Sequence, residues 1–106
     1  MEYSIAMISC PDKDTAKAIA RGLVEGRLAA CVQILPIESI YTWNNEMCEE
    51  SELLLLAKTK TDLLDDIALF VKSNHPYDVP EVVRLPITGG SPDYLEWLGA
   101  TTQGYA

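Results

Sequence analysis

A chain of 106 residues with 48% hydrophobic and 23% charged residues is expected to form one soluble globular domain, residues 1–106, with a single core. Sixteen acidic against eight basic residues give a formal charge of -8, which disfavours nucleic acid and anionic membrane as partners and attracts cations. No apolar run approaches the roughly 20 residues of a membrane span, and Glu2 stands where a secretory signal carries Lys or Arg, so the expected location is cytoplasmic.

Residues 2–9, Glu-Tyr-Ser-Ile-Ala-Met-Ile-Ser, are apolar on both alternations, the pattern of a central strand. Pro11 and Asp12 end it. With Asp14 as N-cap, Ala16, Ile19, Ala20, Leu23 and Val24 fall at the spacing of one helical face, and Gly26 supplies the C-terminal stop. The chain is apolar again from Leu28 to Leu35 and alternates through Ile37, Ser39, Tyr41 and Trp43, with Pro36 marking an edge or a bulge. Asn44-Asn45 is a two-residue turn signal, because asparagine tolerates the left-handed backbone of a tight hairpin. The return strand, Glu46 to about Lys60, then sets Trp43 opposite Glu46, Tyr41 opposite Cys48 and Cys31 near Lys58, unless a bulge at Pro36 shifts the register. Thr61 or Asp62 caps a helix whose buried stripe is Leu63, Leu64, Ile67, Phe70 and Val71, and Ser73-Asn74-His75-Pro76 ends it. Val79 to Ile87, interrupted by Pro80 and Pro86, reads as an edge strand. Thr88-Gly89-Gly90 turns the chain, Ser91-Pro92 opens a short helix to about Leu98, and the tail reads as loose from Gly99.

This order predicts an α+β, ferredoxin-like βαββαβ sandwich with an extended hairpin between its second and third strands and a short C-terminal helix. Right-handed crossovers place the first and third strands in the middle and both main helices on one face. Hairpin arms of about fifteen residues, near 50 Å at roughly 3.3 Å per residue, outgrow a globule about 33 Å across. Ile37, Ile40, Tyr41, Trp43 and Met47 are then left partly uncovered, and so is the helix-free face of the sheet, which predicts a homo-oligomer. The alternative is that Pro36 breaks the arm into two short strands that fold back.

No nucleophile elbow, Walker loop, dinucleotide pattern or metalloprotease His pair occurs, Gly89-Gly90 reads as a plain turn rather than a phosphate loop because no Lys follows in frame, and no enzymatic reaction is indicated. Cys10, Cys31 and Cys48 are odd in number without a Cys-x-x-Cys pair, which argues against a disulfide framework and against a finger-type zinc site. Cys10, at a strand end, is expected to be exposed. Cys31, in the apolar stretch Leu28–Val32, reads either as a buried thiol packed as a small hydrophobe or, if opposite Lys58, as a thiol whose thiolate the ammonium favours, a ligand for a soft metal. His75 opens a loop with Tyr77, Asp78 and Glu81 that reads either as a ligand rim or as a helix terminus. Glu46, Glu49, Glu50 and Glu52 form a solvated edge or a weak hard-cation surface. Tyr94 and Trp97 read as core or interface anchors, or as walls of a cleft.

Leu28-Ala29-Ala30-Cys31-Val32, Ser39-Ile40-Tyr41-Thr42-Trp43, Lys58-Thr59, His75-Pro76-Tyr77-Asp78-Val79-Pro80-Glu81 and Tyr94-Leu95-Glu96-Trp97 together resemble the CutA divalent-cation tolerance family over nearly the whole chain. The resemblance implies a ferredoxin-like homotrimer similar in architecture to PII signalling proteins, associated with copper and other divalent metals. It implies an intersubunit cleft at Cys31, Trp43, Lys58, Thr59, His75, Tyr77, Glu81, Tyr94 and Trp97. The family's copper site, a cysteine late in the first strand with a His-His pair, maps here onto Ile8, Asn74 and His75. One ligand type survives, and the metal candidates are therefore His75, Cys10 and Cys31. The leading reading is a non-enzymatic trimer for metal tolerance. The other is a PII-like sensor holding an anionic metabolite or nucleotide near Lys58.

Overall fold

The computed structural model describes residues 1–103, in the order β1 (Tyr3–Cys10), α1 (Lys13–Glu25), β2 (Cys31–Trp43), β3 (Glu46–Lys60), α2 (Leu64–Asn74), β4 (Val82–Ile87) and α3 (Pro92–Thr101). The antiparallel sheet has the strand order β2-β3-β1-β4, with the first and third strands central as the crossover rule requires. Even-numbered β1 residues Ala6, Ile8 and Cys10 join Leu55 and Ala57 of β3 under Ile19, Leu23, Ile67 and Val71 of the two main helices. The opposite face carries Tyr3, Ile5 and Met7 of β1 beside Val83 and Leu85 of β4, and the latter two are nearly half exposed.

The hairpin keeps one register throughout. Trp43 pairs with Glu46, Tyr41 with Cys48, Pro36 with Leu53 and Cys31 with Lys58. Asn44 and Asn45 take φ of 51° and 63°, the doubly left-handed backbone of a two-residue turn whose twist suits the flanking strands. Such a turn makes Trp43–Glu46 a hydrogen-bonded pair, and alternation from there points the missing N–H of Pro36 away from β3 on an edge strand, where it costs no ladder bond. The proline therefore neither breaks nor shifts the arm. An irregularity sits instead at its base, where the Ala30 N–H donates to the carbonyl of Lys58.

β1 reaches only to Leu53 of β3, so residues 37–43 and 46–52 form a ribbon with no third strand. Extents of 44 × 27 × 20 Å reflect this overhang. Ile40 and Met47 are 70% and 71% exposed, and Trp43 is 51% exposed.

Local details differ from the sequence expectations where neighbouring polar residues compete. Asp12, not Asp14, caps α1, its Oδ1 accepting the Thr15 N–H at 2.8 Å, because its extended backbone aims the carboxylate at the first turn. Gly26 stays right-handed, and Arg27 takes the left-handed turn with φ 58°. Neither Thr61 nor Asp62 caps α2: a 3-10 turn over Thr61–Leu63 precedes it, and the Thr61 hydroxyl bonds Ser4 Oγ at 2.7 Å. β2 starts at Cys31 rather than Leu28, and β4 at Val82 rather than Val79. The chain is not loose from Gly99 on. α3 runs to Thr101, Thr102 is buried with its hydroxyl on the Leu98 carbonyl, and Arg27 Nε reaches the Thr101 carbonyl at 3.2 Å. The rest of the expected tail, residues 104–106, lies outside the described residues. A Cβ at Gly99 would lie 2.6 Å from the Tyr3 hydroxyl, the tip of a side chain, so α3 packs over one end of the sheet face opposite the two main helices.

Asn45→Val is expected to lower stability by about 1 kcal/mol, the cost of a β-branched residue in left-handed backbone, while Asn45→Gly holds or raises it. Urea unfolding midpoints measure both.

Candidate functional site

Alternation places Ser39, Tyr41 and Trp43 of β2 on the same face as Glu50 and Glu52 of β3, because Ser39 pairs with Glu50 and Ile37 with Glu52. Ser9, at the end of β1, shares that face. Opposite the ribbon runs the segment after α2, which brings Tyr77, Asp78 and Glu81 to the other wall. The result is a cleft of about 740 Å³ on the helix-free side, lined by carboxylates, phenols, hydroxyls and one indole, and by no Lys or Arg among the described residues.

His75 seats this segment. Its Nε2 lies 2.8 Å from the Ser9 carbonyl and its Nδ1 accepts the Tyr77 N–H at 3.1 Å, which puts the ring proton on Nε2. Its ring lies 4.8 Å from that of Tyr77, whose hydroxyl in turn donates to Glu52 Oε2 at 3.3 Å. The Lys72 ammonium donates to the Asp78 carbonyl from behind. Glu52 is only 7% exposed and has no basic side chain in contact among the described residues. Tyr77 is pushed up to about 12, first by burial and then by the charges of Glu52 and Glu50. Tyr41 is raised too, by desolvation first and then by its hydrogen bond to Glu50.

The three metal candidates do not converge. Cys10 is fully buried on the helix side of the sheet, not exposed, because even-numbered positions of β1 face the core. Burial, then Asp12 and Glu52, push its thiol up to about 11, so it is no thiolate near neutrality. Cys31 lies on the opposite face, at the base of the arm beside Lys58. Both ring nitrogens of His75 are engaged within the subunit. Ile8 is core, and Asn74 Nδ2 donates to the Phe70 carbonyl. Among the described residues no cluster of three His, Cys, Asp or Glu side chains is placed to hold a metal ion.

The expected cleft residues separate into two groups within one subunit. Trp43, Tyr77 and Glu81 line the cleft, with His75 behind them. Cys31, Lys58, Tyr94 and Trp97 gather at the other end of the sheet. There the Lys58 Nζ lies 3.4 Å from the Tyr94 hydroxyl and 5.4 Å from its ring centre, and Tyr94 stacks at 5.4 Å on Trp97. Thr59 joins neither group, since its hydroxyl is fully buried on the helix side and donates to the Leu28 carbonyl at 2.6 Å. Trp43 and Cys31 are twelve positions apart on β2, roughly 40 Å at about 3.3 Å per residue. Sequence reasoning misses Tyr41 and Ser39 as site residues and takes Glu50 and Glu52 only as part of a run. The signal that finds them is the hairpin register, which sets aromatic and acidic positions on one face.

The sequence model of the CutA1 divalent ion tolerance protein family matches residues 4–101. The chain belongs to that family. It is 46% identical over 101 residues to mouse protein CutA, covering 94% of this chain and 57% of the mouse protein. It thus spans little more than half of that relative's length. The divalent cation tolerance protein CutA1 of Thermus thermophilus is 47% identical and superposes with a TM-score of 0.92 over 95% of this chain and 99% of its own. The crystal structure of CutA1 from Oryza sativa gives a TM-score of 0.94 at 43% identity, covering 97% of this chain and 95% of its own. The CutA1 fold is thus this chain's fold, ribbon included. No helix among the described residues is long and apolar enough to cross a membrane.

Cys10 is expected to resist alkylation in the native protein at pH 8 and to react fully once the chain is unfolded, as peptide mass mapping would show. Because the folded-state pKa of Tyr77 is raised, the stability tied to its neutral form is complete below pH 10 and lost as pH rises towards 12. Tyr77→Phe should therefore lose less stability than the parent between pH 10 and 12 in urea unfolding.

Proposed function

We propose that residues 1–106 form one subunit of a non-enzymatic, cytoplasmic homotrimer that serves divalent-cation tolerance by exchangeable binding of cations at the cleft between ribbon and loop. The observation that supports this is the cleft's charge. Glu50, Glu52, Asp78 and Glu81 line it without a lining base, on a chain of net charge -8. Oxygen donors spread over a wide cleft suit a hydrated divalent ion, copper(II) or another, held loosely rather than chelated. The exposed ribbon and helix-free face supply the apolar surface a trimer needs, and three free cysteines agree with a reducing compartment.

A second reading rests on a different place. Lys58, with Tyr94 and Trp97, presents a cation on an aromatic platform, which suits an anionic metabolite or nucleotide held between subunits in the manner of PII.

Calorimetric titration separates the two. With copper(II) or zinc, Glu50→Gln/Glu52→Gln should weaken binding by at least about tenfold, a loss of roughly 1.4 kcal/mol, while Lys58→Ala leaves it unchanged. Unchanged metal binding in the double variant would refute the cleft as the metal site. Binding of a nucleotide that is lost in Lys58→Ala would favour the second reading.

A further inference from the structure

Between the end of α2 and the start of β4, residues 76–81 form no helix or strand, and residues 77–81 make no hydrogen bond from main chain to main chain among the described residues. Side chains hold the segment instead. The His75 ring accepts the Tyr77 N–H on Nδ1 at 3.1 Å while its Nε2 donates to the Ser9 carbonyl at 2.8 Å, the Tyr77 hydroxyl reaches Glu52, and the Lys72 ammonium reaches the Asp78 carbonyl. The first of these ties depends on a charge state. Only a neutral imidazole has a nitrogen lone pair to offer Tyr77, because both nitrogens of an imidazolium are donors. Protonation sets a ring N–H against the Tyr77 N–H, which has no other acceptor among the described residues, and a covered donor without a partner is costly. His75 is only 9% exposed and its partners belong to its own subunit, so this arrangement is the same whatever covers the ribbon and the sheet. The titratable and charged groups around the ring are Cys10 beside Ser9 on β1, Glu52 of β3 on the Tyr77 hydroxyl, Asp12 before α1, whose charge reaches Cys10 as that of Glu52 does, Lys72 of α2, and Asp78 and Tyr77 on the segment itself.

We propose that His75 is a pH-sensitive latch: neutral, it holds the segment 76–81 in place, and protonated, it lets the segment go while the fold stays intact. The tie that fails lies at the root of the segment. Tyr77 sits there, so its phenol leaves Glu52, and the wall of the cleft that carries Asp78 and Glu81 loosens with it. Nε2 donates in both charge states, so the ring stays on Ser9 and β1 is undisturbed. Imidazole is the side chain whose unperturbed charge change falls between about pH 5 and 8. The latch is the same whichever ligand the cleft takes.

His75 is the one histidine of the sequence, so its imidazole resonance is unambiguous in nuclear magnetic resonance. That resonance and the hydrogen exchange of the Tyr77 amide, corrected for the intrinsic rate, are followed from pH 8 to pH 4 on the full chain as it assembles. Protection of Tyr77 should fall by at least about tenfold with the midpoint of the imidazole titration, while the amides of Ile8 and Leu55 in the core keep theirs. His75→Asn sets a carbonyl oxygen near the place of Nδ1 and has nothing to titrate, so Tyr77 should stay protected over the whole range. Unchanged Tyr77 protection, a fall with a different midpoint, an imidazole that stays neutral down to pH 4, or core amides that lose protection in step would each overturn the proposal. A fall that persists in His75→Asn would overturn it too, and would assign the change to the carboxylates of Glu52, Asp78 or Glu81. Should that variant alter the far-ultraviolet circular dichroism spectrum, Glu52→Gln takes its place: there the fall must survive with the imidazole midpoint, and its loss would overturn the latch.

Discussion

A two-stranded ribbon cannot bury its own faces, and the rest of this molecule follows from having one. Residues 37–43 and 46–52 pair with each other past the point where β1 ends, so each has neighbours on one side only. The ribbon is nonetheless regular, because a doubly left-handed Asn-Asn turn starts it in register and Pro36 falls where its missing donor is harmless. What it lacks is cover. Ile40, Trp43 and Met47 lie in water on a single subunit, and so do Val83 and Leu85 on the edge strand at the other side of the sheet. Surfaces of this kind on a protein otherwise well packed mark places where another molecule sits.

The same overhang creates the cleft. Past the end of β1 the sheet face is open, and the segment after α2 folds over the gap, tied to the last residues of β1 through His75 and to β3 through Tyr77 and Glu52. His75 therefore positions the wall of the cleft rather than offering a free nitrogen to a ligand. Its two hydrogen bonds fix the ring's tautomer, and the backbone bond to Tyr77 sets where the phenol points. At the other end of the sheet α3 brings Tyr94, with Trp97 stacked on it, against Lys58 of β3. One subunit thus has an acidic aromatic end and a basic aromatic end.

Much of this is legible in the sequence, and what is not has identifiable causes. Strand order, helix order and hairpin register are readable because Asn44-Asn45 is a strong local signal and alternation carries it along both arms. The side on which Cys10 lies is not, since β1 is apolar on both alternations and either face passes as the core. Nor is the bonding of His75: a histidine before a proline looks the same whether its nitrogens are free or engaged, and only the fold brings the Ser9 carbonyl, 66 positions away, to its ring. Glu52 passes for part of a solvated run because neighbouring acids hide the one that the loop covers. The cap of α1 slips by two residues to Asp12 because nearby aspartates compete and backbone direction decides between them.

The central claim is that copies of this chain cover the ribbon and the helix-free face of the sheet. Sedimentation equilibrium over a dilution series down to nanomolar subunit, with circular dichroism on the same samples, tests it most directly. Three subunits per particle across the range, with folded structure lost only where the particle dissociates, is the predicted result. A monomer that stays fully folded would contradict it.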